Sequence, residues 1–268
     1  MLFRDRYAGS SFLELLEVDH PQLKVELSEL ARRVAGTAGP IQAPHGTTVL
    51  ALKFADGVLV AGDRLATEGY RVASRDVEKV FATDGHSLIA IAGAAGPAIE
   101  MARLLRIELE HYEKIEGESL ELEGKANKLS QMIRQNLPAA MQGLVVVPIF
   151  AGYDLRRKTG RLWKYDVTGG RYEEAEFETT GSGGLYAKDT LKKRGRPGLS
   201  SEEALRAAVE ALIDAADEDR ATGGIDVARG IYPVVKLCTS AGIEDVPEAA
   251  IMQAHRAVID ARPPRSAS

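Results

Sequence analysis

The sequence predicts an α+β fold, a four-layer α-β-β-α sandwich in which two β-sheets pack face to face between outer helices. The chain has 268 residues, enough for one large domain with a buried core. Past Thr47, two blocks of short apolar segments typical of strands alternate with two pairs of segments with helical periodicity. Sheets and helices bury their apolar faces by stacking in layers, so this alternation favours two central sheets with helices outside them.

The first strand block contains two predicted hairpins and is followed by two predicted helices. Each hairpin turns at an Asp-Gly pair, which is a strong hairpin signal between apolar runs. The strands and turns are residues 47–54, 55–57, 58–62, 79–83, 84–86 and 87–92. The first helix begins near Pro97 and runs to about His111, and the second spans residues 125–142 with a kink or break at Pro138.

The second strand block begins with the apolar run 144–153, which is too short to cross a membrane and predicts a buried strand. Its predicted hairpin neighbours, residues 161–167 and 171–177, are joined through two glycines. The remaining predicted elements are a helix over residues 184–193, a capping box at 200–203 that begins a helix over 204–217, a closing strand over 228–238, and a C-terminal tail.

Composition and charge exclude several classes of function. With 45% hydrophobic and 27% charged residues, the chain is typical of a globular protein. A net charge of -5 and the lack of a basic stripe argue against a nucleic-acid partner. The single cysteine, Cys238, allows no intrachain disulfide and is compatible with a reducing cytoplasm.

The leader that precedes the first strand does not look like a targeting segment. A secretory signal needs an apolar stretch of ~7–15 residues, but acids interrupt residues 12–19 throughout. No part of the chain approaches the ~20 apolar residues of a membrane span. We therefore expect a protein that is neither secreted by that route nor membrane-spanning, with residues 1–46 as a propeptide.

The segment 45–49, His-Gly-Thr-Thr-Val, separates the leader from the first strand. Cleavage after Gly46 would leave Thr47 at the N-terminus, with a nucleophilic hydroxyl and a free amine on the same residue. In the uncut chain that nitrogen is an amide without a basic lone pair, so cleavage would act as a switch. Thr-Thr-Val also fits an ordinary strand opening, because β-branched residues are enriched in strands.

Further motifs follow Thr47 in a fixed order. They are residues 47–53, 57–64, 79–80, 91–93, 180–183 and 219–224. Together they closely resemble the catalytic β-subunit of the proteasome core particle, above all the actinobacterial type, and the resemblance covers residues 47–245. It implies the N-terminal nucleophile hydrolase fold, autocleavage between Gly46 and Thr47 that removes the propeptide, and a catalytic domain of residues 47–268 with a C-terminal tail.

The resemblance also assigns roles to individual residues of a threonine-type endopeptidase. Thr47 is the nucleophile, Lys79 is an ammonium that favours its unprotonated amine, and Asp63 holds Lys79. The backbone N–H of Gly93 points into the oxyanion hole. A strand lysine is ordinarily solvated, so truncation of Lys79 is expected to change stability by under ~0.5 kcal/mol. The residues expected to orient the terminal amine and relay protons are Ser182, Asp219 and Thr222.

A substrate pocket is implied by the same resemblance. Its six positions are all apolar here, and they are Ala66, Val77, Phe81, Ile91, Ala95 and Ile99. A pocket without charge does not offset the desolvation of an Arg or Asp side chain, so a chymotrypsin-like preference for apolar or aromatic residues before the cut is expected. The alternative interpretation is that several of these residues belong to the core.

Three other functions are weighed against this one. Gly181-Ser182-Gly183-Gly184 is similar to the nucleophile loop of chymotrypsin-like serine proteases, although the acid that precedes that serine is missing. A non-catalytic ring subunit is the second alternative, against which the presence of Thr47, Asp63 and Lys79 together argues. A metal enzyme is the third, but no spacing of His, Cys or acidic residues resembles a ligand set.

The resemblance finally implies an assembly and its partners. Seven copies would form a ring, two such rings would stack, and rings of seven α-subunits would cap both ends. Substrates would be unfolded proteins delivered by an ATP-driven unfoldase ring in the cytoplasm. The hydrolytic step is expected to need no cofactor and no metal.

Overall fold

The fold is described from a computed structural model, which describes residues 11–19, 46–68 and 71–262. The strands are β1 (Thr48–Phe54), β2 (Gly57–Gly62), β3 (Ala66–Glu68), β4 (Arg71–Ser74), β5 (Val80–Asp84), β6 (Ser87–Gly93), β7 (Val146–Asp154), β8 (Thr159–Tyr165), β9 (Arg171–Glu174), β10 (Phe177–Gly181), β11 (Val234–Thr239) and β12 (Gly242–Asp245). The helices are α1 (Phe12–Asp19), α2 (Ala95–Glu116), α3 (Leu122–Gln135), α4 (Leu137–Ala140), α5 (Gly184–Arg194), α6 (Ser201–Glu218) and α7 (Glu248–Ala261). Most of the predicted leader, including His45, lies outside the described residues.

The strands form two antiparallel five-stranded sheets. The first has the order β10-β1-β2-β11-β12, and the second has the order β5-β6-β7-β8-β9. Strands β3 and β4 pair separately as a two-stranded ribbon. In the first sheet the start of β1 pairs with the ends of both neighbours, since Val49 lies opposite Gly62 of β2 and Thr180 of β10. The beginning of β1 and the ends of β2 and β10 therefore meet next to Thr47, the residue before β1.

Strand β1 shows how the layers are built. Leu50 and Leu52 pack with residues of α5, α6 and α7, whereas Val49 and Ala51 pack against residues of the second sheet. Side chains alternate between the two faces of a strand, so the first sheet is covered by helices on one face and by the other sheet on the opposite face. Helices α2 and α3 cover the outer face of the second sheet. The predicted four-layer sandwich is confirmed.

Local signals placed several elements correctly. Both Asp-Gly hairpins form, as β1–β2 and β5–β6. The break predicted at Pro138 occurs two residues earlier, at Asn136 between α3 and α4, and Pro138 lies in the first turn of α4. At the start of α6, the Ser200 hydroxyl accepts the Glu203 N–H at 3.2 Å and the Glu203 carboxylate accepts the Ser200 N–H at 2.8 Å. These features depend on residues a few positions apart, which is why the sequence predicts them.

Other predicted elements were wrong in extent. The strand predicted over residues 171–177 ends at Glu174, and Phe177 instead begins β10, which belongs to the first sheet. The closing strand predicted over 228–238 begins only at Val234, because a turn with Gly230 at a φ of +66° precedes it. After that strand, β12 pairs with β11, and in the predicted C-terminal tail residues Glu248–Ala261 form helix α7.

Among the residues that the structure describes, no helix is both long enough and apolar enough to cross a bilayer.

Candidate active site

The candidate site lies where the open ends of two hairpins face each other. Thr47 directly precedes β1 and Asp63 directly follows β2, and these two strand ends pair in the first sheet. Lys79 directly precedes β5 and Gly93 ends β6, which are neighbouring strands of the second sheet. Antiparallel pairing brings Thr47 next to Asp63 in the first sheet and Lys79 next to Gly93 in the second. Because the two sheets stack, all four residues lie at one edge of the sandwich.

Thr47 is buried, with 5% of its surface exposed. Its hydroxyl donates a hydrogen bond to the Gly46 carbonyl oxygen at 2.6 Å, and its backbone N–H donates to Ser182 Oγ at 3.3 Å. The residue before it must be small, because a Cβ at position 46 would lie 2.6 Å from Ala221 Cβ and from Thr67 Oγ1. Glycine therefore lets the chain enter the site beside the Thr47 hydroxyl.

Asp63 is almost fully buried and its carboxylate is fixed by four donors. Oδ1 accepts the Thr48 N–H at 2.8 Å and the Lys79 ammonium at 2.7 Å. Oδ2 accepts the N–H groups of Leu65 at 2.9 Å and Gly223 at 2.8 Å. Hydrogen bonds to a carboxylate stabilise its charged form, so these donors compensate for its removal from water.

Lys79 is also buried, with 5% of its surface exposed. The small stability effect expected for truncation of Lys79 rested on a solvated strand lysine, and this premise does not hold, because Lys79 is buried and faces the Asp63 carboxylate. Besides Asp63, its ammonium donates to the Leu65 carbonyl at 2.6 Å and to the Gly46 carbonyl at 3.4 Å. Burial lowers the pKa of Lys79, and the Asp63 charge offsets part of this effect.

A second group of polar side chains also contacts Thr47. Ser182 Oγ donates to Asp219 Oδ2 at 2.5 Å and lies 3.3 Å from both the nitrogen and the carbonyl oxygen of Thr47. Thr222 Oγ1 donates to the same Asp219 oxygen at 2.6 Å and lies 2.6 Å from Thr48 Oγ1. The structure thus places the three predicted amine-orienting residues in one hydrogen-bonded group next to the Thr47 nitrogen.

Gly93 occupies a position that only glycine fits. Its φ is +117°, and a Cβ there would lie 2.1 Å from the Val145 carbonyl oxygen. Gly93 and Thr47 line the same pocket. The oxyanion role of its N–H stays a prediction.

The six positions predicted for substrate selection all line this pocket, together with Thr47. Phe81 and Ile91 also pack into the core under α2 and α3, so these two residues belong both to the core and to the lining of the pocket.

Glu78 was not predicted from the sequence, but it lines the same pocket with 51% of its side chain exposed. The only sequence signal for Glu78 is its place immediately before Lys79. The Glu78 carboxylate lies 3.6 Å from Lys236 Nζ. The largely apolar lining of the pocket therefore includes two charged residues, Glu78 and Lys79, and Lys79 is paired with Asp63.

The contacts of Ser182 do not form a serine-protease triad. Its hydroxyl is bound to an aspartate and to the Thr47 backbone, and no described histidine hydrogen-bonds to it. In the part of the chain that the structure describes, no group of three His, Cys, Asp or Glu side chains is arranged to hold a metal ion.

Comparisons with known proteins show which proteins the chain is similar to. A family model described as "Proteasome subunit" matches residues 43–229, a range that contains every candidate site residue. The chain is 54% identical over 233 residues to the proteasome subunit beta of Acidimicrobium ferrooxidans, covering 85% of each chain. It is 49% identical over 254 residues to the proteasome subunit beta of Streptomyces griseus, covering 95% of this chain and 89% of that one.

Proposed function

The chain belongs to the proteasome subunit family as a β-subunit, and from that premise we propose that it is a threonine-type endopeptidase with Thr47 as its nucleophile. One observation carries the proposal. The buried Lys79, paired with Asp63, contacts the same Gly46 carbonyl oxygen as the Thr47 hydroxyl, and Ser182, paired with Asp219, contacts the Thr47 nitrogen. A nucleophile, a charged group and an orienting network thus converge on one residue.

Removal of the leader, residues 1–46, is the first proposed reaction. Thr47 Oγ attacks the Gly46 carbonyl carbon, the Gly46–Thr47 C–N bond breaks, and the hydroxyl proton is transferred to the departing nitrogen. Water then hydrolyses the resulting ester and leaves a Gly46 carboxylate and a free Thr47 amine. The Gly46 oxygen, which becomes negative during attack, already lies 3.4 Å from the Lys79 ammonium. Such a positive group stabilises the developing charge.

Peptide hydrolysis uses the amine released by this first cut. The amine, with an ordinary pKa of about 8, takes the hydroxyl proton as Thr47 Oγ attacks the substrate carbonyl. The Gly93 N–H binds the oxyanion, and Ser182 with Asp219 orients the amine. The amine then protonates the leaving nitrogen, and water hydrolyses the acyl ester. No step requires a cofactor or a metal.

The proposed specificity follows from the pocket beside Thr47. Its apolar lining favours Tyr, Phe or Leu before the cleaved bond, because an Arg or Asp side chain would lose its hydration there without a partner in the apolar interior. Glu78 at the edge makes an acidic residue the least favourable, since like charges repel.

The family assembles into the rings of the proteasome core particle, and we extend this to a specific arrangement. Seven copies of this chain form each β-ring, and two β-rings stack between two rings of α-subunits. Unfolded proteins, delivered by an ATP-driven ring in the cytoplasm, are the proposed substrates of the closed chamber.

Three variants test the nucleophile assignment in the assembled particle. Thr47→Ala should abolish leader removal and peptide hydrolysis without loss of the fold, whereas Thr47→Ser should keep part of each. Hydrolysis of a fluorogenic peptide with Tyr before the cut provides the measurement. Loss of activity in Ser182→Ala together with full activity in Thr47→Ala would establish the serine-hydrolase alternative. An assembled parent particle with no hydrolysis of any peptide would establish the non-catalytic ring subunit.

A further inference from the structure

Helix α1, which belongs to the leader, contacts the body of the protein at a defined place on its outer helices. Ser11 and Phe12, at the beginning of α1, meet Glu108 of α2 and Lys128 of α3. Glu108 and Lys128 pair with each other at 2.9 Å. None of these residues belongs to the candidate active site.

The chemistry of the contact matches the start of a helix. The first N–H groups of a helix lack partners within the helix, and the helix dipole makes this end positive. The Phe12 N–H donates to Glu108 Oε2 at 3.2 Å, and Ser11 Oγ lies 3.4 Å from both Glu108 oxygens. Ser11 also caps α1 itself, because its hydroxyl accepts the Glu14 N–H at 3.4 Å. The carboxylate of α2 therefore serves as an additional cap for α1.

Burial distinguishes Glu108 from the other acids of α2. Glu108 is 2% exposed, whereas Glu110 and Glu113 on the same helix are exposed. A buried carboxylate is costly unless it has partners of opposite charge or hydrogen-bond donors. Here it has both, since Lys128 supplies the charge and the leader supplies donors. The Phe12 ring adds an edge-on contact with the His111 ring, with centroids 5.8 Å apart.

We propose that Glu108 and Lys128 form a receptor on α2 and α3 that holds the leader helix α1 of the same chain before cleavage. A second part of the proposal rests on the proposed function. After cleavage between Gly46 and Thr47 the contact becomes bimolecular, because the tether is gone but the docked atoms are unchanged. The leader then leaves only by dissociating from this receptor, and variants of the receptor change the rate of its loss.

Hydrogen exchange in the full-length Thr47→Ala chain tests docking without any need for cleavage. We expect the amides of α1 to exchange more slowly than they would in an unstructured chain. Glu108→Gln should accelerate their exchange by about tenfold or more, the factor expected when a hydrogen bond to a charged group is weakened. Glu110→Gln is the matched control on the same helix, and it should leave α1 unchanged.

Two leader variants keep the test valid if Glu108→Gln disturbs the fold. Phe12→Ala keeps the N–H and removes the ring, whereas Phe12→Pro removes both, at a helix position that tolerates proline. Phe12→Pro should therefore accelerate exchange more than Phe12→Ala. Unprotected α1 amides in the parent chain, or equal protection in all of these variants, would overturn the receptor. Protection that increases with protein concentration would overturn docking within one chain and identify a second copy as the occupant.

Retention of the leader in freshly processed particles tests the second part. The leader should dissociate faster from the Glu108→Gln particle than from the parent particle. Size-exclusion chromatography at successive times after processing measures the fraction of leader that is still bound. Equal rates would overturn release through this receptor. A parent chain that is never cut would instead contradict the proposed function, and the exchange experiment would still report on docking.

Discussion

The Lys79 ammonium lies 2.7 Å from Asp63 Oδ1, and both side chains are buried. Lys79 precedes β5 of the second sheet and Asp63 follows β2 of the first, so this ion pair joins the two sheets next to Thr47. Since Asp63 is itself held by three backbone N–H groups, the ammonium has a fixed position. We therefore expect loss of either partner to affect both the proposed chemistry and the stability of the site.

Lys79→Ala should therefore reduce both turnover and stability. Removing one partner of a buried pair typically costs about 3–5 kcal/mol, and the three backbone donors to Asp63 place this variant at the lower end of that range. Turnover should fall by orders of magnitude because the charge beside the amine is lost. Denaturant unfolding and peptide hydrolysis measure the two effects. Lys114→Ala, at an exposed lysine, is the control and should change neither. Normal activity in Lys79→Ala would contradict its role.

The pH dependence of turnover provides a second prediction. Burial lowers the pKa of Lys79 more than Asp63 restores it, so Lys79 loses its proton at a lower pH than an exposed lysine. Turnover should therefore decline with rising pH before the pH reaches the pKa of an ordinary lysine, about 10.4. A pH–rate profile of the particle measures this decline. An active Lys79→Arg variant should lack it, because arginine stays charged. The same decline in that variant would assign it to another group.

The pocket provides a third prediction. Peptides with Tyr, Phe or Leu before the cut should be hydrolysed well ahead of those with Arg, and Asp peptides should be slowest. Ala95→Val should shift the preference to smaller residues, since one methylene changes discrimination by about 1–3 kcal/mol. Glu78→Gln should reduce the difference between Arg and Asp peptides. A matched set of fluorogenic peptides provides the measurement, and equal rates for Arg and Tyr would show that these residues do not select the substrate.

The reactivity of the cysteine is a fourth prediction. Cys238 is buried, and burial raises the pKa of its thiol to about 12. The thiolate is the reactive form, so the folded protein should not react with a thiol reagent at pH 8. The denatured chain should react fully. Rapid labelling of the native protein would show that β11 opens readily in solution.

The sequence predicted the features that depend on near neighbours or on shared motifs. The Asp-Gly hairpins and the capping box at Ser200 are local and are confirmed. The sequence did not predict that the chain crosses from the second sheet to the first before Phe177, because the strands that pair with this segment lie far along the chain. The burial of Lys79 and the place of Glu78 at the pocket were missed for the same reason. The contact of Glu108 with the leader likewise joins residues almost a hundred positions apart.

The N-terminal residue of the chain in a purified, active particle tests the central claim most directly. Intact-mass analysis should show a chain that begins at Thr47, because only cleavage after Gly46 releases the amine that the mechanism requires as its base. The Thr47→Ala particle should contain the uncut chain and be inactive. A fully active particle in which every copy of the chain still carries the leader would contradict the account.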